Sequence, residues 1–244
     1  MVIVQTNSFQ LSIYAKGDEN SPKLAIVLPG RLDTKDYAHM RSHVDYLAGL
    51  GYYAVSFDPP GTWESPGPID SYSTTNYLKA VNELIEQYGN KPTVLVGHSR
   101  GGTIALLAGA TNPYVTNMVA IMSPHGPSTK ALAKAGDSIK PEFRDLPPGT
   151  HRTTKQKRFV MPYGFFEDQK QYSVLNVLRK SSKPKLLFYA TDDAFVSKAT
   201  VTEIFNVSAE PKILHELLSE HDYRLDPKII DEVNTVMSGF LSSY

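Results

Sequence analysis

Short, nearly continuous apolar runs alternate along the chain with longer segments in which apolar residues recur at helical spacing. The apolar runs are the predicted strands, at residues 24–28, 53–57, 93–96, 115–121 and 185–190. Runs of this kind are typical of strands buried on both faces of a parallel sheet. The predicted helices lie at residues 37–50, 72–88, 103–111 and 201–205. This alternation predicts an α/β fold built on a doubly wound, mostly parallel sheet.

Both ends of the chain extend this pattern. Residues 2–14 alternate apolar and polar positions around Asn7-Ser8, which predicts an N-terminal hairpin. Residues 212–217 are a further predicted strand, and residues 227–241 a closing amphipathic helix with proline at its start. We therefore expect residues 1–244 to form a single domain.

Residues 124–183 interrupt the alternation. They are rich in proline, glycine, lysine and aromatic residues and show little periodicity. From His125 to Lys183 there are 12 basic and 5 acidic residues, a net charge of +7, whereas the rest of the chain carries a net −7. A segment of this length inside a compact domain usually has a function or a structure of its own. We predict a lid or cap insert at 124–183 that covers the functional site; a poorly ordered surface excursion is the alternative.

The composition excludes several classes of protein. The 244 residues hold 25 basic and 25 acidic side chains, so no overall charge draws the chain to nucleic acid or to a membrane surface. There is no cysteine, which excludes disulfide and thiolate chemistry. No apolar run approaches the roughly 20 residues that span a bilayer, and the N-terminal residues show no secretory leader. We expect a cytoplasmic protein without integral membrane association.

The most informative motif is Gly97-His98-Ser99-Arg100-Gly101, a Gly-x-Ser-x-Gly turn between an apolar strand and a helix. Glycines on either side let strand and helix pass closely, and the serine occupies a sharp bend with its hydroxyl exposed. The five-residue pattern recurs by chance, but here the flanking elements supply the context that it requires. Ser99 is the predicted nucleophile; the alternative is a buried serine in an ordinary strand-to-helix turn.

A serine hydroxyl needs a base, and the base needs an orienting partner. His221 is the predicted base, because it lies in the loop between the last strand and the last helix, from which a side chain can reach over the sheet edge. His125, which follows a strand end, is the main alternative. His98 is expected to point away from the nucleophile, and His39 and His43 to form a half-buried helix face.

The orienting acid is expected at the carboxyl end of the preceding strand, which is followed by Asp192 and Asp193. Adjacent residues at a strand end point in different directions, so only one of them can face the imidazole. Asp193 is the prediction, because Val196 can pack into the core and hold the loop in place. Asp192 stays the alternative, and a pair that merely caps the next helix is a third interpretation.

The reaction also needs donors for an oxyanion. Residues 28–32 (LPGRL) follow the first parallel strand, where a glycine-containing loop can turn a backbone N–H toward the serine. The predicted donors are the amides of Arg31 and Arg100. Because these donors belong to the backbone, arginine is compatible with both positions. The two guanidinium groups are expected to be solvated or ion-paired.

Two features of the insert bear on the substrate. Its aromatic residues either line an acyl or aryl pocket or form a small core of the insert itself: Phe143, Phe159, Tyr163, Phe165, Phe166 and Tyr172. The basic run at residues 151–158 either attracts an acidic group of the substrate or forms a solvated face.

Together these motifs resemble those of the α/β-hydrolase-fold serine hydrolases over essentially the whole chain. The order Ser99, Asp193, His221 matches the family's order of nucleophile, acid and base. Residues 58–67 (DPPGTWESPG) are similar to the family's Asp-x-x-Gly-x-Gly-x-Ser loop. The insert falls where the family carries its lid, and its size is similar to that of the small-lid esterases.

Two positions depart from the family pattern. Pro29 replaces the histidine of the usual His-Gly oxyanion loop, and Trp63 replaces the second glycine after Asp58. Pro29 leaves the N–H of Arg31 in place, and neither departure removes a catalytic group.

The resemblance implies hydrolysis of small acyl or aryl carboxylic esters through an acyl-enzyme, without a cofactor. Serine at the nucleophile position excludes the dehalogenases and epoxide hydrolases of this fold. A thioesterase, a peptidase or a carbon–carbon bond hydrolase on the same triad remains open, as does a non-catalytic small-molecule sensor. No metal site is predicted, because no third ligand is apparent near His39 and His43. The expected partner is a small-molecule ester and not nucleic acid, and the sequence does not predict the oligomeric state.

Overall fold

The apolar runs form the strands of a central sheet. The computed structural model describes residues 2–126 and 141–244. The strands within these residues are β1 (Val2–Gln5), β2 (Gln10–Lys16), β3 (Leu24–Leu28), β4 (Tyr53–Phe57), β5 (Thr93–His98), β6 (Val115–Ile121), β7 (Glu142–Asp145), β8 (Gln156–Phe159), β9 (Lys185–Ala190) and β10 (Lys212–Leu217). The helices are α1 (Ala38–Gly49), α2 (Thr74–Gln87), α3 (Arg100–Thr111), α4 (Tyr163–Asp168), α5 (Val174–Leu178), α6 (Lys198–Val207) and α7 (Pro227–Ser243).

Eight of these strands form one sheet in the order β1-β2-β4-β3-β5-β6-β9-β10. β1 and β2 are the predicted N-terminal hairpin, and β2 also runs antiparallel to β4. The other strands pair in parallel. Every residue of β3, β4, β5 and β9 is buried, as expected of strands with helices on both faces. The predicted doubly wound, mostly parallel α/β fold is confirmed.

The helices form a layer on each face of the sheet. Apolar residues of α1 and α7 cover one face, together with inward-facing residues such as Val27 and Val96. Apolar residues of α2, α3 and α6 cover the other face, together with residues such as Ile26 and Leu95. None of the helices in the described parts of the chain is long and apolar enough to cross a membrane.

Two helices begin three residues earlier than the sequence pattern predicts. α6 begins at Lys198 and not at residue 201. The apolar periodicity places the start of α3 at residue 103, whereas α3 begins at Arg100. The two glycines at positions 101 and 102 weaken the local helix signal, because glycine is a poor helix former. In the structure these glycines are the first turn of α3, where the chain passes closest to the sheet.

The described part of the predicted insert has its own secondary structure. β7 and β8 form a two-stranded antiparallel sheet, and α4 and α5 follow before the chain enters β9. Residues 127–140 of the predicted insert lie outside the described residues. The division into one domain with a lid at 124–183 stays a prediction.

The topology brings four loops to one edge of the sheet. Parallel strands end on the same side, so the segments after β3, β5, β9 and β10 all emerge there. In open α/β sheets ligands bind at this edge. Each sequence-predicted site residue lies in, or directly after, one of these four segments.

Candidate active site

The turn after β5 holds Ser99 in a backbone conformation that side-chain-bearing residues rarely adopt. Its φ is 51° and its ψ is −119°, and a positive φ outside glycine marks local strain. The amide of Ser99 donates a hydrogen bond to the carbonyl oxygen of Ile121, 2.8 Å away, and this bond holds the residue in the strained conformation. The serine is therefore fixed at the junction of β5 and α3.

Close backbone packing explains the glycines of the motif. A Cβ on Gly97 would lie 2.2 Å from the carbonyl carbon of Gly101, and a Cβ on Gly101 would lie 2.0 Å from the carbonyl oxygen of Leu28. No side chain fits at such distances. The start of α3 consequently lies against both β5 and the segment that follows β3.

The structure brings Ser99, His221 and Asp193 into one hydrogen-bonded chain. His221 Nε2 lies 2.9 Å from Ser99 Oγ, and His221 Nδ1 lies 2.6 Å from Asp193 Oδ2. The Asp193 side chain is fully buried, and that of His221 is 11% exposed. The arrangement orients the imidazole so that Nδ1–H donates to the carboxylate and Nε2 can accept the serine proton.

Asp193, and not Asp192, reaches the imidazole. The second carboxylate oxygen of Asp193 accepts hydrogen bonds from the amides of Phe195 and Val196 at 2.7 and 2.8 Å. Burial raises the pKa of Asp193, but these donors and His221 outweigh it, so the pKa lies below its ordinary value. Asp192 instead accepts a hydrogen bond from the Thr191 hydroxyl. Val196 is buried, as expected of a residue that holds the loop.

Two further histidines, His125 and His98, lie just after or at the end of a strand. His125, the alternative base, pairs with Glu203 on α6 at 3.2 Å. His98 does not point away from the site: its ring packs on that of His221 with centroids 4.8 Å apart. The pattern around the serine gave no sign of this contact, because His221 comes from a loop far along the chain.

His39 and His43 are fully buried and not half-buried as predicted. Helix α7 covers this face of α1, and His43 bonds to Asn234 Oδ1 at 2.6 Å and to the Tyr223 hydroxyl at 2.7 Å. Burial lowers the pKa of His43 to about 4 and that of His39 well below its ordinary value. A neutral imidazole fits both partners of His43, because it donates to the amide oxygen and accepts from the hydroxyl.

Two backbone amides near Ser99 are available as donors. Neither the N–H of Arg31 nor that of Arg100 has an acceptor among the described residues. Arg100 is the first residue of α3, where the N–H has no partner within the helix. The close approach of α3 to the segment after β3 brings the two loops together.

The two guanidinium groups behave differently from each other. Arg31 pairs with Glu142 of β7, as expected of an ion-paired side chain. Arg100 is buried, donates to the Thr74 hydroxyl at 2.8 Å, and lies 4.3 Å from the ring centre of Phe165. Within the described residues Arg100 has no carboxylate partner, so the expectation of a solvated or ion-paired guanidinium is wrong for this residue.

Aromatic side chains hold the loop after β3 in place. Trp63, one of the two departures from the family pattern, has a φ of 45° and donates its indole N–H to the carbonyl of Leu32 at 2.8 Å. The Tyr77 hydroxyl donates to the carbonyl of Pro29 at 3.1 Å, and the Tyr72 hydroxyl accepts from the amide of Leu32. Trp63 thus has the positive φ that glycine adopts easily, and its indole hydrogen bond links its own loop to the loop after β3.

A cavity of about 440 Å³ opens over Ser99 and His221. Its lining is dominated by charged residues of both signs, namely Arg31, Arg144, Arg152, Arg224, Asp33, Glu142, Asp145 and Asp222. The charges balance, so the described lining is not positive overall. Apolar surface comes from Phe143 and from Phe195, which is 80% exposed.

Most of the insert's aromatic residues do not line this cavity. Phe159, Phe165 and Phe166 are buried in the core with α2 and α3, and Tyr163 is exposed. Phe143 alone among the six predicted aromatics contributes to the described cavity lining. Arg152, from the basic run, also lines it.

One group of side chains at the cavity wall has the composition of a metal site. Asp33, His39 and His98 each offer a ligand atom, and these atoms lie within 4.8 Å of one another. Both ring nitrogens of His39 lack a hydrogen-bond partner. This group does not include His43, so it differs from the His39–His43 pair that the sequence suggests.

A second acidic group is already occupied by a cation. Asp36, Asp58 and Glu64 surround the amine of Lys35, at 2.5, 3.4 and 2.7 Å from Nζ. The lysine is nearly fully buried and supplies the charge that a metal ion would supply there.

The family model of the α/β hydrolase fold matches residues 25–161. The chain belongs to the α/β-hydrolase fold family. The matched segment includes β3, the loop after it, the serine turn and the hairpin of the insert.

Similar proteins cover almost the whole chain. Mouse mitochondrial palmitoyl-protein thioesterase ABHD10 is 21% identical over 237 residues, which are 87% of this chain and 76% of the relative. Est1E from Butyrivibrio proteoclasticus, solved with ferulic acid bound, superposes with a TM-score of 0.76 at 15% identity over 99% of this chain and all of that one. The structure of mouse α/beta hydrolase domain-containing protein 10 superposes with a TM-score of 0.77 at 17% identity, covering 99% and 98% of the two chains. These structural likenesses show a shared fold.

Proposed function

We propose that this α/β hydrolase cleaves carboxylic esters of small, polar acyl or aryl groups through an acyl-enzyme. The observation that supports it most is the hydrogen-bonded chain Ser99–His221–Asp193, which lies under an open cavity beside two unengaged amides. A buried carboxylate, an oriented imidazole and a hydroxyl on a strained turn are the groups that acyl transfer requires.

The geometry supports a two-step reaction. Ser99 Oγ attacks the ester carbonyl while His221 Nε2 takes its proton, and the amides of Arg31 and Arg100 donate to the oxyanion. His221 then returns that proton to the departing alcohol, and the acyl group stays on Ser99. Water attacks the acyl-enzyme, gives a proton to His221, and releases the acid as the proton passes back to Ser99. Asp193 holds the imidazole tautomer and stabilises its charged form.

The cavity lining supports a small polar substrate. Charged side chains of both signs line the cavity over the serine, and burying a long alkyl chain against them would desolvate charges without repayment. Three of the aromatics that could have formed an apolar channel, Phe159, Phe165 and Phe166, are instead buried in the core.

A thioester is the second candidate substrate. The observation in its favour is the likeness to palmitoyl-protein thioesterase ABHD10 over 87% of this chain. The same triad serves both reactions, since the acyl-enzyme is common to them.

The cytoplasmic location expected from the sequence stays a prediction.

A graded panel of substrates tests this proposal. Nitrophenyl esters from acetate to palmitate, and matched acyl thioesters, are offered to the wild type, to Ser99→Ala and to Ser242→Ala, an exposed serine on α7. We expect kcat/KM to be highest for short acyl esters, Ser99→Ala to lose on the order of 10⁶ in kcat, and Ser242→Ala to match the wild type. Near-native ester hydrolysis by Ser99→Ala would contradict the proposal, and a preference for palmitate would contradict the polar-substrate part.

A further inference from the structure

His98 contacts the backbone of the residue assigned as the base. It is the last residue of β5, and its side chain is 3% exposed. His98 Nε2 lies 3.1 Å from the carbonyl oxygen of His221. A carbonyl oxygen can only accept, so Nε2 carries a hydrogen and donates it. The two imidazole rings pack with centroids 4.8 Å apart.

The other edge of the His98 ring faces a carboxylate. Nδ1 lies 3.5 Å from Asp33 Oδ2, which is long for a hydrogen bond, and Nδ1 has no hydrogen-bond partner among the described residues. Gly30 leaves room for this approach, because a Cβ there would lie 2.5 Å from Asp33 Oδ2 and 3.3 Å from His98 Nδ1. The hydrogen bond that holds the His98 ring is therefore the one from Nε2 to His221.

The remaining neighbours do not offer His98 another charge partner. His39 of α1 and Tyr223 present their rings edge-on, with centroids 5.3 and 5.1 Å from that of His98. Arg144 of β7 lies 3.8 Å from the other oxygen of Asp33. Burial raises the pKa of Asp33, but His98 and the nearby arginines outweigh it, so the carboxyl pKa is lowered. Asp33 is therefore the charged group that faces His98.

We propose that His98 is a positioning residue that holds the His221 loop through the carbonyl of His221. The inference rests on the proposed function, since it concerns the placement of the base. Asp193 orients the His221 ring through Nδ1, whereas His98 fixes the backbone from which that ring projects. His221 lies in the loop between β10 and a short 3-10 helix at Tyr223–Leu225, so without this hydrogen bond the imidazole can move away from Ser99 Oγ.

Substitution of His98 separates positioning from simple packing. His98→Leu removes the donor, and a misplacement of about 1 Å can cost on the order of 10² in rate; we expect a fall of that size in kcat with little change in KM. His98→Gln can place its amide donor near the Nε2 position, so we expect it to recover most of kcat. His215→Gln is the matched control, because His215 on β10 also pairs with a carboxylate, Glu232, at 2.8 Å.

Rescue by His98→Gln is the readout that packing alone would not move, because the amide restores the donor but not the imidazole ring. If His98→Leu does not fold, His98→Gln still tests the proposal, since a fall in its kcat on the order of 10² would contradict the role of the donor.

The outcomes distinguish the alternatives. If the wild type hydrolyses esters but His98→Leu keeps its kcat, or if His98→Gln loses as much as a folded His98→Leu, the positioning proposal fails while the proposed function stands. If the wild type hydrolyses no ester or thioester, the proposed function itself fails. Stoichiometric zinc in the purified wild type, lost together with activity in His98→Leu, would overturn the proposal, because a metal ion would then join His98 to Asp33.

Discussion

The serine turn and the insert lie on opposite sides of the same cavity and are held in different ways. Around the turn, backbone atoms approach so closely that only glycine fits at positions 97 and 101, and buried apolar strands support them. The hairpin of the insert is held by charged side chains, which connect β7 and its following loop to the segments after β3 and β10. Dense packing thus fixes Ser99, whereas ion pairs hold β7 of the opposite wall, and only Phe159 of β8 anchors the described hairpin in the apolar core.

The serine turn and the hairpin of the insert should respond differently to substitution. The tightly packed turn has no alternative arrangement, so substitution of the residues that contact Ser99 should alter the rate of the reaction more than the free energy of unfolding. A wall held by ion pairs can detach locally, and the energy of each pair depends on how deeply it is buried.

Among the substitutions that compare these two regions, the largest effect should come from the acid of the hydrogen-bonded chain. Asp193→Asn keeps the shape of the side chain but favours the wrong imidazole tautomer, and such a change costs about 10⁴ in kcat in other serine hydrolases. Asp192→Asn is the matched control, and we expect it to stay within a few-fold of the wild type. Steady-state kinetics on a short nitrophenyl ester measure both. Equal losses in the two variants would contradict the assignment of Asp193.

A smaller and local effect should follow from removing the buried ion pair of the insert. Arg224 NH2 lies 2.7 Å from Asp145 Oδ2, and both side chains are less than 10% exposed. Arg224→Met leaves the carboxylate buried without its cation, which typically costs about 3–5 kcal/mol. We expect amide hydrogen exchange to speed up in β7 and β8 while β5 stays protected.

The exposed pair Arg152–Glu220 provides the control for that prediction. These side chains are 63% and 51% exposed, and pairs of this kind contribute about 1 kcal/mol or less. Arg152→Met should therefore leave exchange in the hairpin nearly unchanged. If it matched Arg224→Met, burial would not be what decides the strength of these attachments.

The contrast between packed strands and side-chain ion pairs also explains which parts of the structure the sequence could predict. β3, β4, β6 and β9 match the predicted bounds, because each apolar run reports its own burial. β10 also matches, although only Leu217 of its residues is buried. The proximity of Ser99, Asp193 and His221 could be predicted because each follows a strand, and the carboxyl ends of parallel strands meet at one edge. None of that reasoning needs contacts between distant side chains.

What the sequence did not predict depends on such distant contacts. The contact of His98 with His221 joins β5 to the loop after β10, and the burial of His43 depends on Asn234 of α7. The hairpin of β7 and β8 contains little apolar periodicity, since Arg31 and Arg224 supply its anchors. The only local signs were a histidine inside the serine turn and an aspartate three residues after Gly30.

Covalent labelling by a fluorophosphonate tests the central claim most directly, because only an activated serine reacts readily with it. We predict one adduct in the wild type, on the peptide that contains Ser99, and no adduct in Ser99→Ala. A wild type that stays unlabelled, or a label that persists in Ser99→Ala, would contradict the assignment of Ser99 as the nucleophile.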